Sequence, residues 1–179
     1  MQIINYYMNI KNYIRDIADF PKPGIVFKDI SPLLSNPEAF NFVVDNLAEQ
    51  VISAGSTAVV GIEARGFIIG APVAVKTGLP FIPVRKPKKL PFKTLREEYA
   101  LEYGIDAIEM HVDAVGKNDM VAIVDDVLAT GGTAEAAVKL VKQTGAEISC
   151  LCFLMELSFL EGRGRFQKDG YNIGSIIQY

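Results

Sequence analysis

Apolar residues along the chain fall into two alternating patterns, short continuous runs and longer stretches with helical spacing. The continuous runs occupy residues 58–62, 81–84, 120–124 and 148–155. Helical spacing follows the first and third runs, at 67–77 and 134–144. Short apolar runs are typical of buried parallel strands, and strands that alternate with helices form a sheet covered on both faces. The pattern predicts an α/β fold with a doubly wound, mainly parallel twisted sheet flanked by helices.

The amino-terminal part of the chain is patterned differently. Apolar residues at helical spacing predict a short amphipathic helix over residues 10–18. The segment 20–32 carries prolines and a glycine, so it cannot form a regular helix. Asn36 then suits the cap of a second helix, because Pro37 fits the first helical position and Gly55 follows the last apolar position.

Composition narrows the class of protein. The 179 residues suit one domain, and we expect residues 1–179 to form it. With 22% charged residues and a formal charge of −3, the chain is not expected to bind nucleic acid or membrane surfaces. No apolar run reaches the ~18 residues of a spanning helix. The start lacks a signal-peptide pattern, so we expect a cytoplasmic protein that begins at Met1 or Met8.

The most informative segment follows the strand predicted at 120–124. Asp125 and Asp126 stand at its tip, and a loop of glycines and threonines at 129–133 leads into the next helix. Backbone N–H groups at a helix start bind phosphate, glycines allow close approach, and hydroxyls add donors. The two carboxylates would repel a phosphate, so ribose hydroxyls or a magnesium ion are their sensible partners. The segment predicts a sugar-phosphate site, with an ordinary βα turn as the alternative.

A second turn of this kind follows the strand predicted at 58–62. Arg65 lies between Ala64 and Gly66, where the strand ends and a helix begins. An arginine at such a place can fork onto a phosphate while nearby N–H groups complete the site. The alternative is a surface ion pair between Arg65 and Glu63. Beside a sugar-phosphate loop, we favour a second anion-binding loop.

Basic residues are concentrated in the segment 85–96, which holds six of the chain's 18 lysines and arginines and no acid. A solvated loop is the usual explanation of a charge run. Self-repulsion nevertheless favours a neutralising anion, so we expect a mobile lid that orders over its ligand. The acidic continuation at 97–104 supplies carboxylates that lid closure could bring to the reacting atoms as a general acid or base.

Other reactive residues indicate packing. Cys150 and Cys152 lie in an apolar run on one sheet face, where small thiols pack well. His111 is the single histidine, so the sequence supports no Ser/His/Asp or Cys/His arrangement. In the Pro/Gly segment, Phe27 offers a flat face to a planar base, although such a residue is more often part of a core.

Several segments together resemble the adenine phosphoribosyltransferase family of type I phosphoribosyltransferases. They occur in the family's order within residues 10–166, and they are 20–34, 61–66, 85–86, 101–104, 125–135 and 155–157. The resemblance implies the type I phosphoribosyltransferase fold with a small N-terminal hood, about residues 10–34, and a flexible lid, about residues 85–104.

The resemblance also implies the reaction. Members of this family transfer ribose 5-phosphate from 5-phosphoribosyl 1-pyrophosphate (PRPP) to adenine, giving AMP and pyrophosphate in purine salvage. They use Mg²⁺ that is held mainly by the substrate, so no protein metal ligands are expected. They form homodimers, in which Arg85 or Lys86 can reach the neighbouring site.

The site residues that the resemblance implies are grouped by substrate part. The residues implied to bind the ribose hydroxyls are Asp125 and Asp126, and those for the 5′-phosphate are Ala129, Thr130, Gly131, Gly132 and Thr133. The residues implied to bind pyrophosphate are Ala64, Arg65, Gly66, Arg85, Lys86 and Lys89. Adenine is implied to be bound by backbone atoms of Val26 and Lys28 and by the side chains of Phe27 and Leu157. Glu102 is the implied acid/base residue, and Arg65 the implied catalytic cation.

The sequence departs from the family pattern in the lid, where Lys88 and Phe92 replace glycines and should stiffen it. Lys28 stands where some members have arginine. Two alternatives remain at this point. One is an enzyme for a 6-oxopurine, and the other is a non-catalytic ligand sensor on the same fold, although nothing in the chain resembles a DNA-binding appendage.

Overall fold

A computed structural model describes residues 8–100 and 105–179, except for the side chain of Ala100. Met1, one of the two candidate starts, and Glu102, the implied acid/base residue, lie outside the described residues. The chain divides into two compact units, one that ends at Val44 and one that spans Asp45–Tyr179. Each is described by itself below.

The described elements are named in chain order. The strands are β1 (Arg15–Ala18), β2 (Val26–Asp29), β3 (Ala58–Ile62), β4 (Phe81–Val84), β5 (Thr94–Ala100), β6 (Ile105–His111), β7 (Met120–Leu128), β8 (Glu147–Glu156) and β9 (Ile173–Gln178). The α-helices are α1 (Ser31–Leu34), α2 (Pro37–Ser53), α3 (Arg65–Thr77) and α4 (Gly132–Gln143). Single 3₁₀ turns cover Ile10–Tyr13, Ser158–Leu160 and Gly162–Phe166.

In the first unit, the prediction of a helix over 10–18 is wrong. A 3₁₀ turn at Ile10–Tyr13 is followed by β1, which pairs with β2 as an antiparallel ribbon. Arg15 Nη2 donates to Asp29 Oδ2 across the ribbon at 2.6 Å, and Ile17 lies opposite Phe27. Four apolar positions in so short a window fit the period of a strand as well as that of a helix. Here the pairing with β2 stabilises the strand.

The helix predicted after Asn36 is confirmed. Asn36 Oδ1 accepts from the backbone N–H of Ala39 at 2.9 Å, which is the expected cap. α2 begins at Pro37 and ends at Ser53, just before Gly55, which has a φ of +68°. The helix is the element that continues from the first unit into the second.

The second unit contains the predicted parallel sheet, in the order β4-β3-β7-β8-β9 with every neighbouring pair parallel. All four predicted strands are present, and β9 is an addition that the apolar pattern did not indicate. Every residue of β3 is buried, as are Val121 to Val124 of β7, because helices cover the sheet. Burial of each Val or Ile side chain contributes about 2 kcal/mol. The α/β fold of the prediction is confirmed.

An antiparallel hairpin of β5 and β6 lies within the second unit and was not predicted. It packs against α4, and β4 contacts β6. Cys150 and Cys152 are buried in β8 with their sulfurs 3.5 Å apart, as expected for packing residues. His111 at the end of β6 makes an edge contact with the Phe92 ring. Across the part of the chain that the structure describes, no helix is long and apolar enough to cross a bilayer.

Candidate active site

A cavity of about 340 Å³ opens where the carboxyl ends of β3 and β7 meet the starts of α3 and α4. Ligands of open parallel sheets bind at this edge, because the loops that follow the strands converge there. The lining residues come from three places in the chain: Ile62 to Arg65, Lys86 with Tyr99, and Asp125 to Ala134. The two predicted βα turns therefore share one cavity.

The glycine–threonine loop forms one wall of this cavity. Residues Ala129 to Thr133 all line it, and α4 begins within the loop at Gly132. Gly131 has a φ of +79°, a left-handed conformation that glycine adopts without strain. No side chain caps the start of α4 among the residues that the structure describes. The arrangement suits an anion at the uncapped helix start.

Asp125 and Asp126 form the floor beside the loop. Asp125 Oδ1 accepts from the backbone N–H of Asp126 at 2.9 Å, and Asp126 Oδ2 lies 2.9 Å from Arg65 Nε. Burial raises the pKa of Asp125 well above its usual range, and the charge of Asp126 adds to that rise. Burial also raises the pKa of Asp126, although Arg65 opposes the rise. The site thus holds two crowded carboxyl groups with one nearby cation.

Arg65 contacts Asp126 rather than Glu63, so the alternative of an Arg65–Glu63 surface pair is wrong. Glu63 forms an ion pair with Arg85 instead. The Nη2 and Nε atoms of Arg85 lie 3.0 and 3.1 Å from the two carboxylate oxygens of Glu63. The backbone N–H of Lys86 donates to the same carboxylate at 3.0 Å. The hydrogen bond from Arg85 lowers the pKa of Glu63, even though burial opposes the shift. This bidentate pair fixes the chain that leads into the lid.

Lys86 is the lid cation that lines the cavity. Its ammonium forms an ion pair with Asp106 and lies 3.0 Å from the Tyr99 hydroxyl and 5.6 Å from the centre of the Tyr99 ring. The hairpin register places Tyr99 directly opposite Asp106. Burial disfavours the charge on Lys86, but hydrogen bonds with Asp106 and Tyr99 outweigh it and raise its pKa. Neither Arg85 nor Lys89 is among the lining side chains of the described part.

The implied base-binding residues lie in both units. In the first unit, Val26, Phe27 and Lys28 form β2, where Val26 is half exposed and Phe27 makes an edge contact with Phe20 at 5.2 Å. In the second unit, Leu157 directly follows β8, and its N–H donates to the carbonyl of Leu128 at the end of β7.

The structure also reveals interactions in and around the site that sequence reasoning missed. Tyr99 and Asp106 were hidden because the hairpin was not predicted. Glu156 and Arg163 form a bidentate pair at 2.6 and 3.0 Å at the end of β8. Arg165 donates to the carbonyl of Thr130 in the glycine–threonine loop at 2.6 Å. The only available signal was the concentration of Arg and Gly at 162–165, which carries no indication of a partner.

The fold and the cavity together define a class, and the comparisons agree with it: the family model of the phosphoribosyl transferase domain matches residues 32–175. An adenine phosphoribosyltransferase of Thermotoga sp. strain RQ2 is 55% identical over 96% of this chain and 100% of its own length. This chain belongs to the adenine phosphoribosyltransferase family.

Solved structures of the family share the architecture. The adenine phosphoribosyltransferase of Thermoanaerobacter pseudethanolicus has a TM-score of 0.91 at 50% identity, covering 95% of this chain and 98% of its own. The Saccharomyces cerevisiae enzyme, solved with adenine, has a TM-score of 0.86 at 36% identity, covering 93% and 95%. The type I phosphoribosyltransferase fold of the prediction is thereby confirmed.

Proposed function

We propose that this chain is a purine salvage enzyme that transfers ribose 5-phosphate from PRPP to adenine and releases AMP and pyrophosphate. The observation that carries the proposal is the single cavity that joins Arg65 at the tip of β3 to the carboxylate pair and glycine–threonine loop at the tip of β7. Such a cavity suits a substrate with a phosphate, a ribose and a second anionic group. Membership in the family supports adenine as the acceptor.

The glycine–threonine loop would hold the 5′-phosphate through the backbone and hydroxyls of Ala129, Thr130, Gly131, Gly132 and Thr133. Asp125 and Asp126 would accept hydrogen bonds from the ribose hydroxyls. Breaking the bond to pyrophosphate develops positive charge on the ribose, and carboxylates fixed nearby stabilise that charge without having to reorient. The positive charge of Arg65, close to Asp126, offsets the repulsion between these two carboxylates and the substrate phosphates.

Pyrophosphate would lie between the β3 turn and the lid. Arg65 and Lys86 line the cavity with Ala64, and Gly66 follows Arg65 in the first turn of α3. Cations that face the leaving group lower the barrier because they stabilise its developing negative charge. Arg85 is occupied by Glu63 in this arrangement, so Arg85 and Lys89 would contribute only when the lid, about residues 85–104, rearranges.

Adenine would be held by the hood, about residues 10–34. Backbone atoms of Val26 and Lys28 would bond its edge, and Phe27 and Leu157 would contact its two faces. Glu102 would transfer the proton on the imidazole nitrogen of the base. A carboxyl group suits that role because it can both accept and return a proton.

We further propose Mg²⁺ as the cofactor, with the substrate as its main ligand. Asp125 and Asp126 offer the oxygen donors that Mg²⁺ prefers, but one of them is committed to Arg65. Within residues 8–100 and 105–179, no group of three or more acidic, histidine or cysteine side chains could hold a metal ion. When bound, the ion supplies charge neutralisation of the leaving pyrophosphate.

A homodimer and a cytoplasmic location complete the proposal, with the whole chain, residues 1–179, working as one catalytic domain. In the second unit, α3 exposes Ile68 and Val75, the latter with 83% of its surface accessible. Exposed apolar side chains on one helix are the kind of surface that a second copy covers.

The test is direct. Purified protein is incubated with adenine, PRPP and Mg²⁺, and AMP is separated by chromatography while pyrophosphate is measured independently. We expect stoichiometric AMP and pyrophosphate, little product with hypoxanthine or guanine, and loss of product with a chelator. Binding of PRPP without any turnover would favour the sensor alternative, and turnover of a 6-oxopurine in preference to adenine would favour the other one.

A further inference from the structure

Residues 162–166 form a 3₁₀ turn that packs against the glycine–threonine loop. A Cβ added to Gly131 would lie 2.8 Å from the carbonyl oxygen of Gly162, and one added to Gly162 would collide with the carbonyl of Ala129. Backbone therefore meets backbone with no space for a side chain at either glycine. The turn and the loop behave as one packed unit.

Arg165 fixes the orientation of one peptide in this contact. Its Nε donates to the carbonyl oxygen of Thr130 at 2.6 Å, and its Nη1 lies 2.8 Å from Glu135 Oε2 in the first turn of α4. The Thr130–Gly131 peptide is trans, so the N–H of Gly131 points away from the carbonyl that Arg165 binds. The guanidinium thus fixes which way the donor of this peptide faces.

Two cavities meet at this peptide. Thr130 lines the 340 Å³ cavity of the candidate site and also a wider cavity of about 910 Å³, and Arg165 lines the wider one but is absent from the lining of the first. Arg165 thereby holds the carbonyl on the side of the wider cavity, and Gly131, which carries the N–H of the same peptide, lines the candidate site. If the peptide flipped, the carbonyl oxygen would face the site and repel a phosphate.

Arg165 also removes an electrostatic conflict. Glu135 stands in the first turn of α4, where an ionised carboxylate would oppose a phosphate at the same helix start. Burial alone would raise the pKa of Glu135, but hydrogen bonds from Lys139 and Arg165 outweigh it and lower the pKa. Glu135 is therefore charged, and its charge is balanced by two cations.

We infer that Arg165 is a positioning residue for the phosphate loop, which holds the Thr130–Gly131 peptide with its N–H toward the bound 5′-phosphate. The inference rests on the proposed function, because it assigns the phosphate of ribose 5-phosphate to this loop. Arg165 acts through Thr130 and does not itself touch the substrate.

The experiment compares Arg165→Gln with Lys139→Gln. Both variants remove one cation from Glu135, since Lys139 Nζ lies 3.1 Å from Glu135 Oε1, but only the first releases the Thr130 carbonyl. Amide hydrogen exchange reports loop order without substrate, and calorimetry gives the affinities for ribose 5-phosphate and for inorganic pyrophosphate. Arg165→Lys, which keeps a donor and the charge, serves as the conservative variant.

We expect Arg165→Gln to speed exchange of the amides at 129–133, to leave exchange in β7 and β8 unchanged, and to weaken ribose 5-phosphate binding about tenfold. A tenfold loss corresponds to about 1.4 kcal/mol, the scale of a hydrogen bond from a charged donor. Pyrophosphate affinity should stay the same, and Arg165→Lys should recover part of the loss. Lys139→Gln should resemble the unmodified protein.

Equal losses in Arg165→Gln and Lys139→Gln, or unchanged loop exchange in Arg165→Gln, would overturn the inference. If the unmodified protein bound no ribose 5-phosphate, the proposed function would fail instead. The exchange data would still decide whether Arg165 orders the loop.

Discussion

Gly66 lies against Asp125: a Cβ on Gly66 would stand 2.8 Å from Asp125 Oδ1 and 3.1 Å from the carbonyl oxygen of Val124. The start of α3 can therefore approach the tip of β7 only because residue 66 has no side chain. This approach brings Arg65 to Asp126 and makes one site from two βα turns. A single glycine thus sets the spacing between the proposed pyrophosphate and ribose subsites.

Gly66→Ala should separate those subsites. We expect unfolding to require about 1–3 kcal/mol less free energy, the usual cost of forcing a methyl group into a packed place. We expect kcat/KM for PRPP to fall about a hundredfold, since a displacement near 1 Å has that effect on reacting groups. Urea denaturation and steady-state kinetics measure the two effects.

Gly164→Ala is the matched control, because a Cβ at Gly164 meets no atom within 4 Å. It should change neither stability nor kcat/KM by more than a small factor. Equal behaviour of the two alanine variants would show that the approach of α3 to Asp125 does not depend on residue 66.

Asp125, which we propose binds the ribose, should lower the stability of the folded protein. Its pKa is raised in the folded state, chiefly by burial, so the folded protein binds this proton more tightly than the unfolded chain. The penalty is therefore absent at acid pH and grows as the pH rises through the folded pKa. Asp125→Asn keeps an oxygen that can accept from the N–H of Asp126 and removes the charge.

We expect Asp125→Asn to stabilise the protein at pH 7.5, because it removes a carboxylate whose burial in the charged form is unfavourable. The gain should shrink as the pH is lowered toward the unfolded pKa of about 3.9. Catalysis should fall about a hundredfold, because an amide replaces a fixed charge near the ribose. Urea midpoints across this pH range check the first statement, and a variant less stable than its parent at pH 7.5 would contradict it.

The part of the site that sequence could predict is the part that local chemistry determines. Asp125, Asp126 and the glycine–threonine loop stand within a few residues of one another, and their spacing alone indicates a strand tip that leads into an uncapped helix. The turn around Arg65 carries the same kind of signal. Both turns meet because carboxyl ends of parallel strands share one edge, a rule that needs no knowledge of side-chain partners.

What sequence could not predict depends on pairing between distant segments. The Arg85–Glu63 pair joins positions 22 residues apart, and nothing local favours it over the Arg65–Glu63 pair. Tyr99 and Asp106 meet only through the register of the β5–β6 hairpin. This hairpin was not predicted because the concentration of basic residues at its start indicated a loop. The failed helix at 10–18 has the same cause, because pairing with β2 outweighs a short helical spacing.

Asp106 should compete with pyrophosphate for Lys86. The carboxylate is ion-paired with the ammonium of Lys86, which lines the candidate site, and both side chains are partly exposed. We expect Asp106→Asn to strengthen inhibition by pyrophosphate about twofold to fivefold, the range that partly exposed ion pairs contribute. The measurement is the inhibition constant of pyrophosphate against PRPP.

Two controls separate this effect from a change in overall charge. Asp113→Asn removes the same charge from the loop after β6 and should leave the inhibition constant unchanged. In the background of Lys86→Met, Asp106→Asn should have no further effect, because a double-mutant cycle isolates the pair. A persistent effect without Lys86 would mean that Asp106 acts on the site by another route.

Arg163 and Glu156 should contribute far more to stability than an exposed pair of the same chemistry. Glu156 is 7% exposed at the end of β8, and Arg163 binds both of its oxygens and also the carbonyl of Ile173. Arg163→Gln leaves a buried carboxylate without its cation, so we expect a loss of about 2–3 kcal/mol at pH 7. Arg96→Gln breaks an Arg–Glu pair of similar length whose side chains are more than half exposed, and should cost under about 1 kcal/mol.

The stabilisation that the Arg163–Glu156 pair provides should depend on pH. The hydrogen bond from Arg163 lowers the pKa of Glu156 below its ordinary value of 4.5. The stabilisation is therefore complete above that value and is lost as the pH falls through the folded pKa. The difference in unfolding free energy between the parent protein and Arg163→Gln should be full at pH 7 and should narrow below about pH 4.5. A gap that stayed constant into acid would mean that Arg163 stabilises the turn by packing and by its bond to Ile173, with the charge of Glu156 contributing nothing.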